Sequence, residues 1–413
     1  MVIRAVRIAR RTVRLLPGLV RALRQGWVHA PAFPRHLQIE HIARCNLKCV
    51  MCAHGIDPPP PRRPDMSFET FCGILGQFRG RDSRDGFGKL EALSLQGVGE
   101  PLLHRDTLAM LRYAREQKLF TAFVSNMTVM TDAMAEALVS MGHGRIIASV
   151  DAIDPALFAD IRRGAKFDIL TRVLENIARI QRTKERLQSD APEILVNSLL
   201  MKRTLPQVPE LVDRLKALGV SQITFTDVDT SGIAPSTRFA DGSRCDDQSL
   251  ATLPRRDRQR ILDGIKALDS AACRVVVPED WPGAGQPLAP VAILTCEDLW
   301  EKPFVTVEGV VTPCCYAPNK EDLPMGDLTQ QSFEQIWFGA SYQRLRWQHL
   351  SFRYPARCYA CPQLVKIVAP SSLVGRCPDP ALRPRNPVFL GDRPYSFGLH
   401  EHGGPEAAEG RAR

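Results

Sequence analysis

Six short apolar runs, each followed by a stretch of helical period, constrain this chain more than any other feature. LQIEHI (37–42), EALSLQ (91–96), FTAFVS (120–125), RIIASV (145–150), EILVNSLLM (193–201) and SQITFTDV (221–228) read as strands. Amphipathic stretches near 67–78, 104–118, 131–141, 166–183 and 206–218 lie between them. Strand and helix alternating in series predict an α/β fold, a parallel sheet with helical crossovers, curled or open. Such folds carry their functional residues at the C-terminal ends of the strands. That rule gathers 45–52, 97–100, 125–126, Asp151, Lys202, Arg203 and Asp227 on one rim, with Asp229 just beyond. Residues 229–248 form a long polar loop, and the Pro/Gly-rich 278–290 reads as a linker. Beyond it, 304–313 predicts a hairpin turning at Glu308–Gly309, and 332–350 predicts one helix.

Charge excludes one function class. The net charge is +9, but residues 1–36 hold eight Arg and no acid, so the body is nearly neutral. A general nucleic-acid binder needs a basic face that this body lacks. No apolar run reaches the ~18 residues of a membrane span. Residues 2–16 set Arg4, Arg7, Arg11 and Arg14 on one helical stripe, with Val2, Val6, Val13 and Leu16 opposite. Two readings stand: a helix lying weakly on an anionic membrane surface or a partner, or an end cap over the barrel bottom. The expected location is cytoplasmic, peripheral to a membrane if the first reading holds.

Twelve cysteines are many for a cytosolic chain, and without a secretory signal they read as metal ligands rather than disulfides. Cys45, Cys49 and Cys52 are spaced CxxxCxxC directly after the first strand. Three thiolates in one tight loop can hold three irons of a 4Fe–4S cluster and leave the fourth open to an exogenous ligand. Zinc would want a fourth protein ligand, and His54 does not stand at the usual spacing.

This motif resembles that of the radical S-adenosylmethionine (SAM) superfamily. Gln96-Gly97-Val98-Gly99-Glu100-Pro101 after the second strand is similar to the family's GGEP segment, which meets the SAM amino group. The resemblance implies cofactor contacts at Met51 (backbone to adenine), Gly97, Gly99, Glu100, Ser125, Asn126, Ser149 and Asp151. Strand-end capping is the plain alternative for Ser149 and Asp151. The fold implied is a partial (β/α)6 TIM-like barrel with a small C-terminal α+β domain.

Cys296, Gly309, Cys314, Cys358 and Cys361 follow C-x12-G-x4-C and then C-x2-C. They resemble the opening of the SPASM domain, which carries auxiliary iron–sulfur clusters. Ile367 stands where that pattern continues with cysteine, so the shortened twitch form, with one auxiliary 4Fe–4S cluster, is implied. A zinc ribbon is the competing chemistry for four cysteines with a CxxC knuckle, and Cys315 competes with Cys314 as ligand. Of the remaining cysteines, Cys72, Cys273 and Cys377 suggest no role, whereas Cys245 lies on the rim, where some twitch epimerases place a hydrogen-atom donor.

The expected organisation is 1–36 basic segment, 37–277 barrel, 278–290 linker, 291–366 auxiliary domain and 367–413 irregular tail. The chemistry implied is SAM cleavage to a 5′-deoxyadenosyl radical that removes a substrate hydrogen, with the protein orienting substrate and excluding water. An electron donor such as flavodoxin or ferredoxin is the implied partner. The auxiliary cluster suggests an oxidoreductase, and the favoured substrate is a small molecule, a sugar, polyol or aminocyclitol undergoing dehydrogenation or epimerisation. A SPASM-type peptide-modifying enzyme or protein maturase is the alternative. It is disfavoured here because only 44 residues precede Cys45, too few for the peptide-binding domain that many such enzymes carry.

Overall fold

A computed structural model describes residues 33–52, 64–78, 90–165, 167–228, 233, 235–277, 293–296, 298–315, 323–350, 355, 358 and 365–367. The basic segment before 33, His54, Asp229, the 278–290 linker, Cys361, Cys377 and the tail after Ile367 lie outside the described residues.

The six expected strands form as β1 (His36–Ile39), β2 (Ala92–Leu95), β3 (Phe120–Ser125), β4 (Arg145–Ser149), β5 (Glu193–Leu200) and β6 (Gln222–Asp227). Each pairs in parallel with the next, and a further strand, β7 (Arg274–Val276), pairs in parallel with β6. Strands β1 and β2 are buried along their whole length, as expected when helices cover the outer face and packed side chains fill the inner one.

The crossover helices start where the local chemistry allows. Helices α1 (Phe68–Gly76), α2 (Thr107–Glu116), α3 (Asp132–Ser140), α4 (Pro155–Ile161), α5 (Ile169–Leu187) and α6 (Val208–Ala217) follow one another along the barrel. The Ser67, Thr131, Asp154 and Asp168 side chains each accept the backbone N–H three residues on, satisfying a donor that the helix itself leaves unbonded. Helix α5 turns Ile169, Leu170, Val173, Ile177 and Ile180 inward at helical spacing. Helix α4 and helix α7 (Arg255–Lys266) have no counterpart in the sequence reading, because the first is short and the second is mostly charged.

The C-terminal segment differs from expectation in two ways. Strand β8 (Ile293–Thr295), helix α8 (Asp298–Glu301), β9 (Phe304–Val305), β10 (Val310–Thr312) and β11 (Gly326–Asp327) follow the linker. The hairpin turns at Glu308–Gly309 as expected, with Gly309 at φ +87°. It is not an isolated unit: β9 pairs in parallel with β1, so one sheet runs β11-β10-β9-β1-β2-β3-β4-β5-β6-β7. A partial barrel leaves the β1 edge unpaired, and β9 satisfies those backbone groups. The second difference is a break in the expected helix, which forms α9 (Phe333–Trp337) and α10 (Ala340–Leu350). Gly339 marks the break, and a Cβ there would stand 2.5 Å from the Gln335 carbonyl oxygen.

Strand β12 (Val365–Ile367) pairs antiparallel with β8, where the sequence suggested fading order. The unit packs on the barrel through aromatics. Phe333 and Phe78 have centroids 4.6 Å apart, and the Phe333 N–H donates to the Gln77 side chain at 2.6 Å. No helix among the described residues is long and apolar enough to cross a membrane.

Candidate active site

The cysteine loop leaves β1 and is held on three sides. Lys48–Cys49 pair antiparallel with Arg162–Arg163, and the Val50 N–H donates to the Ile161 carbonyl at 2.9 Å. The Arg44 carbonyl accepts the Glu100 N–H at 2.8 Å, tying the loop to the segment after β2. The Asn126 side-chain amide, at the end of β3, lies 3.8 Å from Cys45 Sγ and donates to Asn46 Oδ1 at 2.9 Å. Strand ends from three β–α units therefore converge on one loop, as parallel register requires.

The Gly-rich segment is shaped by close approach. A Cβ on Gly99 would stand 2.3 Å from the Ile42 carbonyl oxygen, and one on Gly97 would stand 2.5 Å from Glu40 Cγ. Only glycine fits at either place without movement.

Glu100 is 2% exposed, and its carboxylate organises the rim. Oε1 accepts from Ser125 Oγ at 2.7 Å and from the Leu102 N–H at 3.1 Å, while Oε2 accepts the Asn126 N–H at 2.7 Å. Burial pushes its carboxyl up, and these bonds with Arg162 pull it back. A carboxylate offers about four acceptor sites, so one on Oε2 remains for an ammonium.

Asp151 also serves a neighbour first. It accepts Arg162 Nε at 2.7 Å and the Leu199 N–H at 2.9 Å, within a pair whose side chains are 0% and 10% exposed. The Arg162 guanidinium in turn favours the Cys49 thiolate. Burial outweighs it, and the thiol is pushed up to about 12 before any metal is present. Ser149 ends β4 opposite Asn197. Met51 lies half-buried in the turn between Cys49 and Cys52.

Other rim residues have plainer work. Asp227 accepts Ser249 Oγ and the Leu250 and Ala251 N–H groups, so it caps a turn. Arg203 stacks on Phe239 and pairs with Asp241 at 3.2 Å. Cys245 is 1% exposed and packed into the core, with its thiol pushed up by burial, so in this conformation it does not open onto the rim as a hydrogen donor would.

The sequence reading missed Glu40 and Arg162. Glu40 is fully buried and accepts the Val98 N–H at 3.1 Å and the Val307 N–H at 3.4 Å, bridging the Gly-rich segment to the hairpin turn. The signal for Glu40 was a carboxylate inside an apolar strand run. Arg162 lies between α4 and the cysteine loop with no local pattern to mark it.

The cysteines of the second set that are described flank paired strands. Cys296 directly follows β8, whose partner β12 lies just after the 358–361 segment, and Cys314 follows β10. Cys296, Cys314, Cys315 and Cys358 are all half-buried. Around them, Tyr342 donates to the Thr312 carbonyl at 3.3 Å, and Thr312 Oγ1 donates to the Cys314 carbonyl at 3.2 Å. Trp300 Nε1, on α8, and Arg346 Nη2, beside Tyr342, are buried without a hydrogen-bond partner among the described residues.

The residues present fit iron–sulfur groups at both places. Each donor set is all thiolate, which suits iron–sulfur chemistry. The unpartnered Arg346 donor, beside the Tyr342 ring that bonds the Thr312 carbonyl, is what an absent acceptor would leave. Among the described residues no three His, Cys, Asp or Glu close around a single ion. Cluster thiolates bind separate corners of a cubane and need not do so.

Comparison with known proteins agrees. A model of the Radical SAM superfamily matches residues 39–187, and a model of the SPASM iron–sulfur cluster-binding domain matches 296–362. A tungsten-containing aldehyde ferredoxin oxidoreductase cofactor-modifying protein of Pyrococcus furiosus is 28% identical over 197 residues, 47% of this chain and 51% of its own. The chain thus spans about half the length of the first curated relatives it matches. A PqqA peptide cyclase of Xanthomonas axonopodis pv. citri is 23% identical over 337 residues, 80% of each chain. Among solved structures, SuiB of Streptococcus suis bound to S-adenosylmethionine superposes with TM-score 0.59 at 15% identity, over 81% of this chain and 73% of that one.

These findings correct the preference for a small-molecule substrate. A relative aligned along 80% of both chains is a peptide cyclase, and SuiB has been solved with its precursor peptide SuiA. They do not bear out the oxidoreductase class, since the curated relatives are cyclases and modifying proteins. The cofactors are S-adenosylmethionine and a 4Fe–4S cluster, with auxiliary iron–sulfur in the C-terminal domain. The chain belongs to the radical SAM superfamily and carries a SPASM domain after its barrel.

Proposed function

We propose that this radical SAM enzyme modifies a peptide or protein, with the reacting side chain presented at the rim where β1, β2 and β3 end. Cys45, Cys49 and Cys52 hold the cluster that, with SAM, supplies hydrogen-atom abstraction. Glu100 Oε2 takes the SAM ammonium while its other bonds keep Ser125 and Asn126 in place. Arg162, held in place by Asp151, favours the thiolate at Cys49 while Asp151 opposes it. Cys296, Cys314, Cys358 and Cys361 hold the auxiliary cluster. Glu40 keeps the hairpin turn of that unit against the SAM segment, so both centres share one frame.

The alignment with a peptide cyclase over 80% of both chains carries the substrate class. The test is anaerobic incubation with short peptides encoded beside this chain's gene, following 5′-deoxyadenosine and peptide mass together. A mass change coupled to 5′-deoxyadenosine is expected. Release driven by polyols or aminocyclitols and by no peptide would sink the proposal. Cofactor modification is a second reading, favoured by the Pyrococcus furiosus relative.

A further inference from the structure

Arg346 is a buried cation. It lies on α10, is 0% exposed, and has no carboxylate partner among the described residues. Its Nε donates to the Leu299 carbonyl at 3.0 Å and its Nη1 to the Trp337 carbonyl at 2.9 Å. The guanidinium lies against two touching rings, 4.4 Å from the Trp337 centroid and 4.6 Å from that of Tyr342, with the centroids themselves 4.7 Å apart. Nη2 is left buried and unbonded. The nearby acid Asp298 is engaged by Lys302 at 3.6 Å. Burying an unpaired charge is strongly unfavourable, so a fold that retains one normally supplies a counter-charge.

Its surroundings say which counter-charge. Leu299 is three residues beyond Cys296, on the helix that cysteine leads into. Tyr342, under the guanidinium, bonds the Thr312 carbonyl two residues before Cys314, and Cys314 and Arg346 both act on its phenol through space. The cation is thus set between the chain segments that carry two of the cysteines assigned to the auxiliary cluster. A thiolate-bound iron–sulfur cluster is a buried anion that becomes more negative on reduction.

We propose that Arg346 is the counter-charge of the auxiliary cluster and holds its reduction potential up by stabilising the reduced form. The inference rests on the auxiliary-cluster assignment above. Net charge and hydrogen bonds at the sulfurs are among the levers that set such potentials. Arg346 does not touch substrate and acts as a positioning and tuning residue.

The test uses the full-length chain carrying Cys45→Ala, Cys49→Ala and Cys52→Ala, so that only the auxiliary cluster is titrated, by EPR against a chemical reductant. Arg346→Gln is expected to shift the midpoint to more negative potential, while Arg346→Lys, which keeps the charge, stays near the parent value. An unshifted midpoint in Arg346→Gln would overturn the inference and leave Arg346 as a staple between two helix ends. If Arg346→Gln assembles no cluster, Arg346→Lys decides: a lysine variant that keeps the cluster near the parent potential supports the charge requirement, and one that also loses it overturns it. A parent triple variant without iron would instead refute the auxiliary-cluster assignment, and this inference with it.

Discussion

At the scale of single residues, Glu100 shows how one side chain can serve both a ligand and the fold. Its carboxylate takes donors from Ser125, Asn126 and Leu102, and Asn126 in turn reaches Cys45. Glu100→Ala therefore does more than remove a partner for the SAM ammonium: it also strands three buried donors. Each loss costs about 1–3 kcal/mol when unsatisfied. SAM binding by calorimetry is expected to fall roughly tenfold to a hundredfold or more, together with a partial loss of iron at the first cluster. Ser125→Ala removes one bond to Oε1 and should keep its iron while weakening SAM by only about tenfold. Full iron and unchanged SAM affinity in Glu100→Ala would remove this residue from the site.

Between elements, the decisive contacts are backbone to backbone. Gly99 lets the segment after β2 come against the chain that leaves β1, where a Cβ would meet the Ile42 carbonyl oxygen at 2.3 Å. Neither backbone can yield without moving the cysteine loop. Gly99→Ala should assemble little of the first cluster and unfold at lower temperature. Gly73, inside α1, has nothing within 4 Å of its missing Cβ, so Gly73→Ala should stabilise by about 0.5–1 kcal/mol. Thermal unfolding of the two variants, with iron analysis, tests the contrast. Equal behaviour would show that the close approach at Gly99 is not needed.

Across the whole molecule, the two cysteine sets lie by different strands, β1 and β10 within the ten-stranded sheet and β8 and β12 in a separate two-stranded one. The first follows β1, and the second flanks β8, β10 and β12, with β9 pairing along β1 between them. Separate ligand sets predict separable iron. The variant with Cys45, Cys49 and Cys52 replaced by Ala should retain roughly half of the reconstituted iron and cleave no SAM. Zinc in place of iron in that variant would refute an auxiliary iron–sulfur centre. Active SAM cleavage by it would refute the first assignment.

The parallel strands, the rim they make and the cysteine loop on that rim were all readable in the chain. Each is a local matter: alternation sets the crossover, and CxxxCxxC places three thiolates within one turn. Residues 304–313 likewise declared a hairpin, since Glu308–Gly309 is a turn by its own dihedral preference. Which edge that hairpin joins is a different kind of question. Backbone groups on β1 accept β9 whatever the side chains are, so no residue pattern announces the pairing. Arg162 stayed illegible for the same reason, its partner Asp151 being met only through the approach of α4, and the carboxylate of Glu40 stood out in its apolar run without showing that Val307 would be its partner. Nothing in the sequence singled out Arg346, and only packing between α8, α9 and α10 buried it. Local sequence determines which chemistry a segment can carry. The meeting of distant segments decides which charges lose their water, and hence which must find a partner.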